Sequence, residues 1–145
     1  MKKHSIKRML SLILCAVLIA AIALSVTGCS DNNKPQWETK TFTDGDTLGK
    51  GSTEFTLTVT DADGNSATAT IRTDKTIVGD ALLELELIAG ESQDMGLYIK
   101  CVNGKTYDYD KDGKYWAFYI DGEYAMTGID ATDIVPGATY SLKAE

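Results

Sequence analysis

Histidine is almost missing from this sequence: His4 is the only one in 145 residues. It sits in an N-terminal stretch that reads as an export leader, so the mature chain has no imidazole. That excludes Ser/His and Cys/His nucleophile pairs and histidine-ligated zinc. Cysteine is nearly as scarce. Of Cys15, Cys29 and Cys101, the first lies in the leader and the second at its end. With Cys101 left alone, no intramolecular disulfide forms and stability must come from the core. A glycine-rich phosphate loop is also missing, because Gly49-Lys50-Gly51 lacks the rest of that motif. Basic residues are few. Four of the 14 (Lys2, Lys3, Lys7, Arg8) leave with the leader, so 10 face 21 acidic residues, a net of −11. Such a surface excludes nucleic acid and keeps the domain off anionic headgroups. Carboxylates are plentiful, yet nothing singles out two as an acid–base pair. A folded part of about 90 residues rarely builds a deep cleft, so a non-enzymatic protein is expected.

The leader has a basic n-region, an apolar run from Met9 to Val26 and a small-residue ending, Val26-Thr27-Gly28-Cys29. That ending resembles the bacterial lipobox. By this resemblance residues 1–28 are a lipoprotein signal peptide, and Cys29 is acylated on its thiol and becomes the mature N-terminus. The expected location is the cell membrane, lipid-anchored on the extracellular face. Stable anchoring takes more than one acyl chain. The alternative is an uncleaved membrane anchor, since the run approaches the ~18 residues that a span needs. Residues 29–51 are polar, with a proline, several glycines and no sustained period, and read as a flexible tether from Cys29. Trp37 and Phe42 are its only bulky aromatic residues and are candidates to dock on the domain.

A single domain is expected over 52–145. Phe55, Leu57 and Val59 alternate with threonines, and a second period-two run follows the Asp-Gly turn at Asp63-Gly64, which spells a hairpin. Val78, Ala81, Leu82, Leu85 and Ile88 recur at helical spacing, with Thr76 as N-cap and Gly90 as the stop. Three further strands follow: GLYIKCV turning at Asn103-Gly104, KYWAFYI turning at Asp121-Gly122, and ATYSLKA after Pro136-Gly137. The fold class is α+β, one helix packed on a mixed or antiparallel sheet.

Two constellations carry chemistry. Asp108, Asp110, Asp112 and Gly113 match positions 1, 3, 5 and 6 of a calcium loop, where alternate carboxylates converge on a hard cation. Position 12, which should be a bidentate Glu, is Tyr119. The stretch therefore reads either as an acidic turn or as a weak, exposed calcium site. Next to it, seven of the chain's twelve aromatics fall between Tyr107 and Tyr124. Trp116, Phe118 and Ile120 share one strand face, and Tyr115, Ala117 and Tyr119 the other. One face serves the core; the other packs under a loop or presents a platform to a flat ligand or a partner. Cys101 shares a face with Leu97 and Ile99 and reads as a buried thiol.

With TIVGDALLELELI, GLYIKCVNGKTYDYDKDGKYWAFYIDGEYAMTGID and PGATYSLKA in place, the domain resembles the transcobalamin-like C-terminal domain family of Gram-positive lipoproteins and surface proteins. The resemblance implies the β-domain fold of cobalamin carriers, where this domain lids a corrinoid held by a helical barrel. It carries over Tyr115, Trp116 and Phe118 as ligand contacts, with Tyr119 as their strand neighbour. Ala117 stands where the carriers have a glutamine, and the chain has no helical barrel. The expected role is ligand capture or docking, with a corrinoid as candidate ligand and a membrane transporter or surface protein as candidate partner. A calcium-binding surface protein and a passive adhesion module are the alternatives. No cofactor is certain, and a monomer is expected.

Overall fold

The computed structural model describes Gln36–Glu145; the leader, Cys29 and the tether up to residue 35 lie outside the described residues. Strand β1 (Thr47–Gly49) opens the regular structure, followed by the hairpin β2 (Thr53–Thr60) and β3 (Ser66–Thr73). Helix α1 (Val78–Glu84) precedes β4 (Ile88–Gln93), β5 (Gly96–Val102) and β6 (Lys105–Thr106). A single helical turn, α2 (Tyr109–Asp112), leads into β7 (Trp116–Ile120) and β8 (Glu123–Tyr124). A 3-10 turn at Ile129–Ala131 and the last strand, β9 (Thr139–Ala144), complete the chain.

The strands form two sheets. One is six-stranded and mixed, in the order β1-β3-β2-β9-β7-β8; the other is antiparallel, in the order β4-β5-β6. Parallel pairings join β1 to β3 and β2 to β9, and the rest are antiparallel. This is the expected α+β class.

Alternation in β2 works as its sequence dictates. Phe55, Leu57 and Val59 are buried, while Thr58 Oγ1 meets Thr68 Oγ1 across the hairpin at 3.2 Å on the opposite face. The buried cluster joins these to Ile71, Tyr140 and Leu142 of the large sheet, Ile99 and Val102 of the small one, and Val78, Ala81 and Leu82 of α1. Tyr140 is fully buried, edge-on to Phe55 with ring centroids 5.3 Å apart. Its phenol donates to Asp133 O at 3.1 Å and accepts from Val135 N–H at 2.9 Å, so the hydroxyl is satisfied.

Both expected two-residue turns are present. Asn103 (φ 47°) and Gly104 (φ 76°), then Asp121 (φ 49°) and Gly122 (φ 85°), take the two left-handed positions of a type I′ hairpin turn.

Two expectations are corrected. The domain does not begin at residue 52, and residues 36–51 are not free tether. Phe42 is buried in the core, its N–H donates to Asn103 Oδ1 at 2.7 Å, and Lys40 N–H donates to Glu86 O at 2.8 Å. β1 then adds to the sheet edge beside β3. Phe42 thus docks on the domain, as expected of it, and brings the segment around it into the fold.

The helix is also shorter than its periodicity. α1 stops at Glu84; Ile77, not Thr76, is its N-cap, with no side-chain cap bond. Glu86 turns left-handed at φ 57° and the chain enters β4, where Gly90 sits at a bulge within the strand. A Cβ on Gly90 would lie 2.1 Å from Tyr98 O, so only glycine allows the two strands to approach there.

Candidate functional site: an aromatic cleft between two sheets

β7 contributes Trp116 and Phe118 to the core side of the large sheet, as its alternation requires. Trp116 is 5% exposed and Phe118 9%. Phe118 stacks on Tyr140 with centroids 6.1 Å apart and planes at 15°, and Trp116 tilts against Tyr107 at 5.1 Å. Their ring faces are packed, so they form no open platform.

What remains is a cleft of about 180 Å³ where the β7 edge meets β5 and the 3-10 turn. Leu97, Tyr98 and Ile99 form one wall and Tyr115, Trp116 and Phe118 the other; Tyr124, Thr127 and Ile129 complete it. Leu97 N–H donates to Asp130 Oδ2 at 3.1 Å, tying the turn to β5 and closing one end. Trp116 Nε1 is buried and has no hydrogen-bond partner among the described residues. A buried donor left unpaired costs about 1–3 kcal/mol and is rare in native structures.

Three of the four expected ligand residues, Tyr115, Trp116 and Phe118, share this cleft; Tyr119 does not line it. Tyr119 packs edge-on to Tyr124 at 5.5 Å and donates its phenol proton to Glu145 Oε1. That carboxylate pushes the Tyr119 phenol up to about 12. The Tyr115 phenol is also raised, first by desolvation and then by its bond with Tyr124. Leu97, Ile99 and Ile129 were not legible as site residues, because nothing in a strand's period says which other sheet it will face.

The acidic stretch folds into one capped turn. Asp108 is the N-cap of α2, its Oδ1 accepting from Asp110 N–H at 3.1 Å, and Gly113 closes the turn at φ 64°. Asp112 Oδ2 accepts from Asp108 N–H at 2.9 Å. The other Asp108 oxygen lies 3.2 Å from the ammonium of Lys100, a mostly buried side chain that also sits 4.2 Å over the Tyr98 ring. Lys100 holds the Asp108 carboxyl below the usual carboxylate range. Among the described residues no three of Asp, Glu, Cys and His are grouped to hold a metal ion, so Asp108, Asp110 and Asp112 are not brought together as a ligand set. The Asp108 and Asp112 carboxylates serve the turn itself instead. Cys101 is buried as expected, 3.5 Å from Thr39 Oγ1.

Residues 75–140 match the model of a domain of unknown function, DUF4430. No curated protein matches the chain. Among solved structures, a protein from Ruminococcus gnavus ATCC 29149, described as having a supposed metal-binding role, aligns with a TM-score of 0.61 and 29% identity. The alignment covers 65% of this chain and 97% of that one. Haptocorrin in complex with Cbi aligns with a TM-score of 0.48 and 17% identity, over 68% of this chain and 26% of haptocorrin.

Proposed function

We propose that this chain is a non-enzymatic, lipid-anchored extracellular domain that binds a ligand or partner at the cleft beside Trp116. The observation that carries the reading is the cleft between two sheets, lined by a buried tryptophan whose donor is unused. The lipobox-like Val26-Thr27-Gly28-Cys29 supports the anchor, through Cys29. Among the described residues no helix is long and apolar enough to cross a membrane.

A corrinoid is the candidate ligand that the family resemblance offers. Size limits how it binds. The cleft holds about 180 Å³, against roughly 300–1,000 Å³ for pockets that enclose drug-sized ligands. A flat cofactor would enter by one edge, touching Tyr115, Trp116 and Phe118, with the rest exposed for transfer to a transporter. Calorimetry with cobinamide tests this: a saturable heat is expected, lost in Thr127→Trp, which fills the cleft from its exposed rim. No heat at about 1 mM ligand would end the corrinoid version.

A second reading, calcium or another hard cation at Asp108, Asp110 and Asp112, is favoured by the supposed role of the Ruminococcus protein. It requires Lys100 to release Asp108. A ligand of the folded state raises the melting temperature by mass action, so equal melting in calcium and EDTA would reject it.

A further inference from the structure

One wall of the cleft is a strand edge with unmade bonds. Tyr115 N–H donates to Glu145 O at 2.9 Å and Glu145 N–H to Tyr115 O at 3.0 Å, which makes 115 and 145 a hydrogen-bonded pair. In an antiparallel ladder the next residue turns its main-chain groups to the other side, so Trp116 N–H and C=O face away from β9. On that side β8 is only two residues long, and its pairing ends where Ala125 N–H donates to Phe118 O at 3.0 Å. Neither main-chain group of Trp116 finds a partner among the described residues. Buried main-chain groups are nearly always paired.

The space beside this edge suits a side chain. An apolar cavity of about 150 Å³ holds benzene, and the cleft offers about 180 Å³. One exposed apolar side chain stands at its rim: Met126, between the cleft residues Ala125 and Thr127, is 95% exposed. Exposed methionines adapt to varied partner shapes. In the adjoining segments the exposed acids Asp94, Glu123 and Asp130 outnumber the exposed lysines Lys111 and Lys114, while Lys100 is taken by Asp108. With a mature net charge of −11, a second copy of this chain would be repelled and a cationic segment attracted.

We propose that the β7 edge at Trp116 accepts an extended, basic segment of a partner protein as an added strand. Its main chain bonds Trp116 N–H and C=O, one aromatic or branched side chain fills the cleft, and alternate lysines or arginines face the acidic rim. The proposal rests on the reading of the cleft as the binding site and names the class of its occupant.

Fluorescence anisotropy tests it, with the labelled peptide Lys-Val-Lys-Phe-Lys-Val-Lys titrated by the full chain in detergent. Saturable binding is expected, weakened about ten-fold by Phe→Ala in the peptide, by N-methylation of the Phe amide, and by Met126→Lys in the protein. Both peptide changes keep the charge, so they separate strand addition from bulk attraction. Equal binding by the N-methylated peptide, or no saturation at about 1 mM, overturns the proposal. If cobinamide then gives a heat that Thr127→Trp removes, the cleft stands as a ligand site without a peptide; if neither binds, the cleft reading falls as well. A dimer in sedimentation that Met126→Lys dissociates would assign the edge to a second copy, against the proposal.

Discussion

Phe42 and Asn103 hold each other reciprocally: Phe42 N–H donates to Asn103 Oδ1 at 2.7 Å, and Asn103 Nδ2 donates to Phe42 O at 3.3 Å. The pair fixes the entering segment to the β5–β6 turn, at a residue whose left-handed backbone suits Asn or Gly. Asn103→Gly keeps the turn and removes both bonds, at an expected cost of about 1–3 kcal/mol. Phe42→Ala should cost about 3–5 kcal/mol through the cavity it leaves. Urea unfolding of both variants checks this; a wild-type midpoint for Phe42→Ala would return residues 36–51 to the role of tether.

Tyr140→Phe keeps the ring in the core but strands Val135 N–H, which the phenol oxygen now satisfies. Loss of about 1–2 kcal/mol is expected, with no change in the slope of the urea transition. A shift within error would mean that the 133–135 segment relaxes to find another acceptor.

Acid should weaken the fold through particular carboxylates. The Asp61 carboxyl lies below its ordinary value, chiefly because Asn65 Nδ2 donates to it, and Asp108 does so chiefly through Lys100. A carboxylate depressed in the folded state contributes stability above its unfolded pKa, and that stability is lost as pH falls through the folded value. The melting temperature should therefore hold from neutrality to about pH 4 and fall below it. Asp61→Asn should flatten part of that fall while lowering the plateau. An unchanged acid limb in this variant would remove Asp61 from the account.

At the alkaline end the order reverses. Tyr119 is pushed up to about 12 by Glu145, so its contribution is complete below the unfolded value of about 10 and fades as pH rises through 12. Ultraviolet titration should show one phenol ionising last, and Glu145→Gln should move it back toward 10. An unaltered titration in that variant would assign the late phenol elsewhere.

How much of this was legible beforehand depended on how local each signal is. Period-two runs and the dipeptides Asn103-Gly104 and Asp121-Gly122 placed β2, β3, β5 and the β7–β8 hairpin, because strands and type I′ turns are written in adjacent residues. The helix was misjudged where LELELI satisfies two periods at once: Leu83, Leu85 and Leu87 also alternate, and tertiary contact gave the second half to a turn and a strand. Tyr115, Trp116 and Phe118, singled out by the family resemblance, fall together on one wall of the cleft. Their facing wall, Leu97 and Ile99, comes from a different sheet and leaves no mark in sequence spacing. The acidic stretch left two readings open for a physical reason: the residues that ligate calcium at alternate positions are also those that cap a helical turn.

If Cys29 anchors the chain as proposed, the strap formed by residues 39–42 gains a mechanical meaning. Tension along the chain reaches the Lys40–Glu86 and Phe42–Asn103 contacts before it reaches the ladder of β2 with β9. These contacts are short-range and few, whereas the sheet shares load over eight- and six-residue strands. Under that anchoring the strap would act as a fuse in series with the fold, expected to yield before the sheet and the cleft.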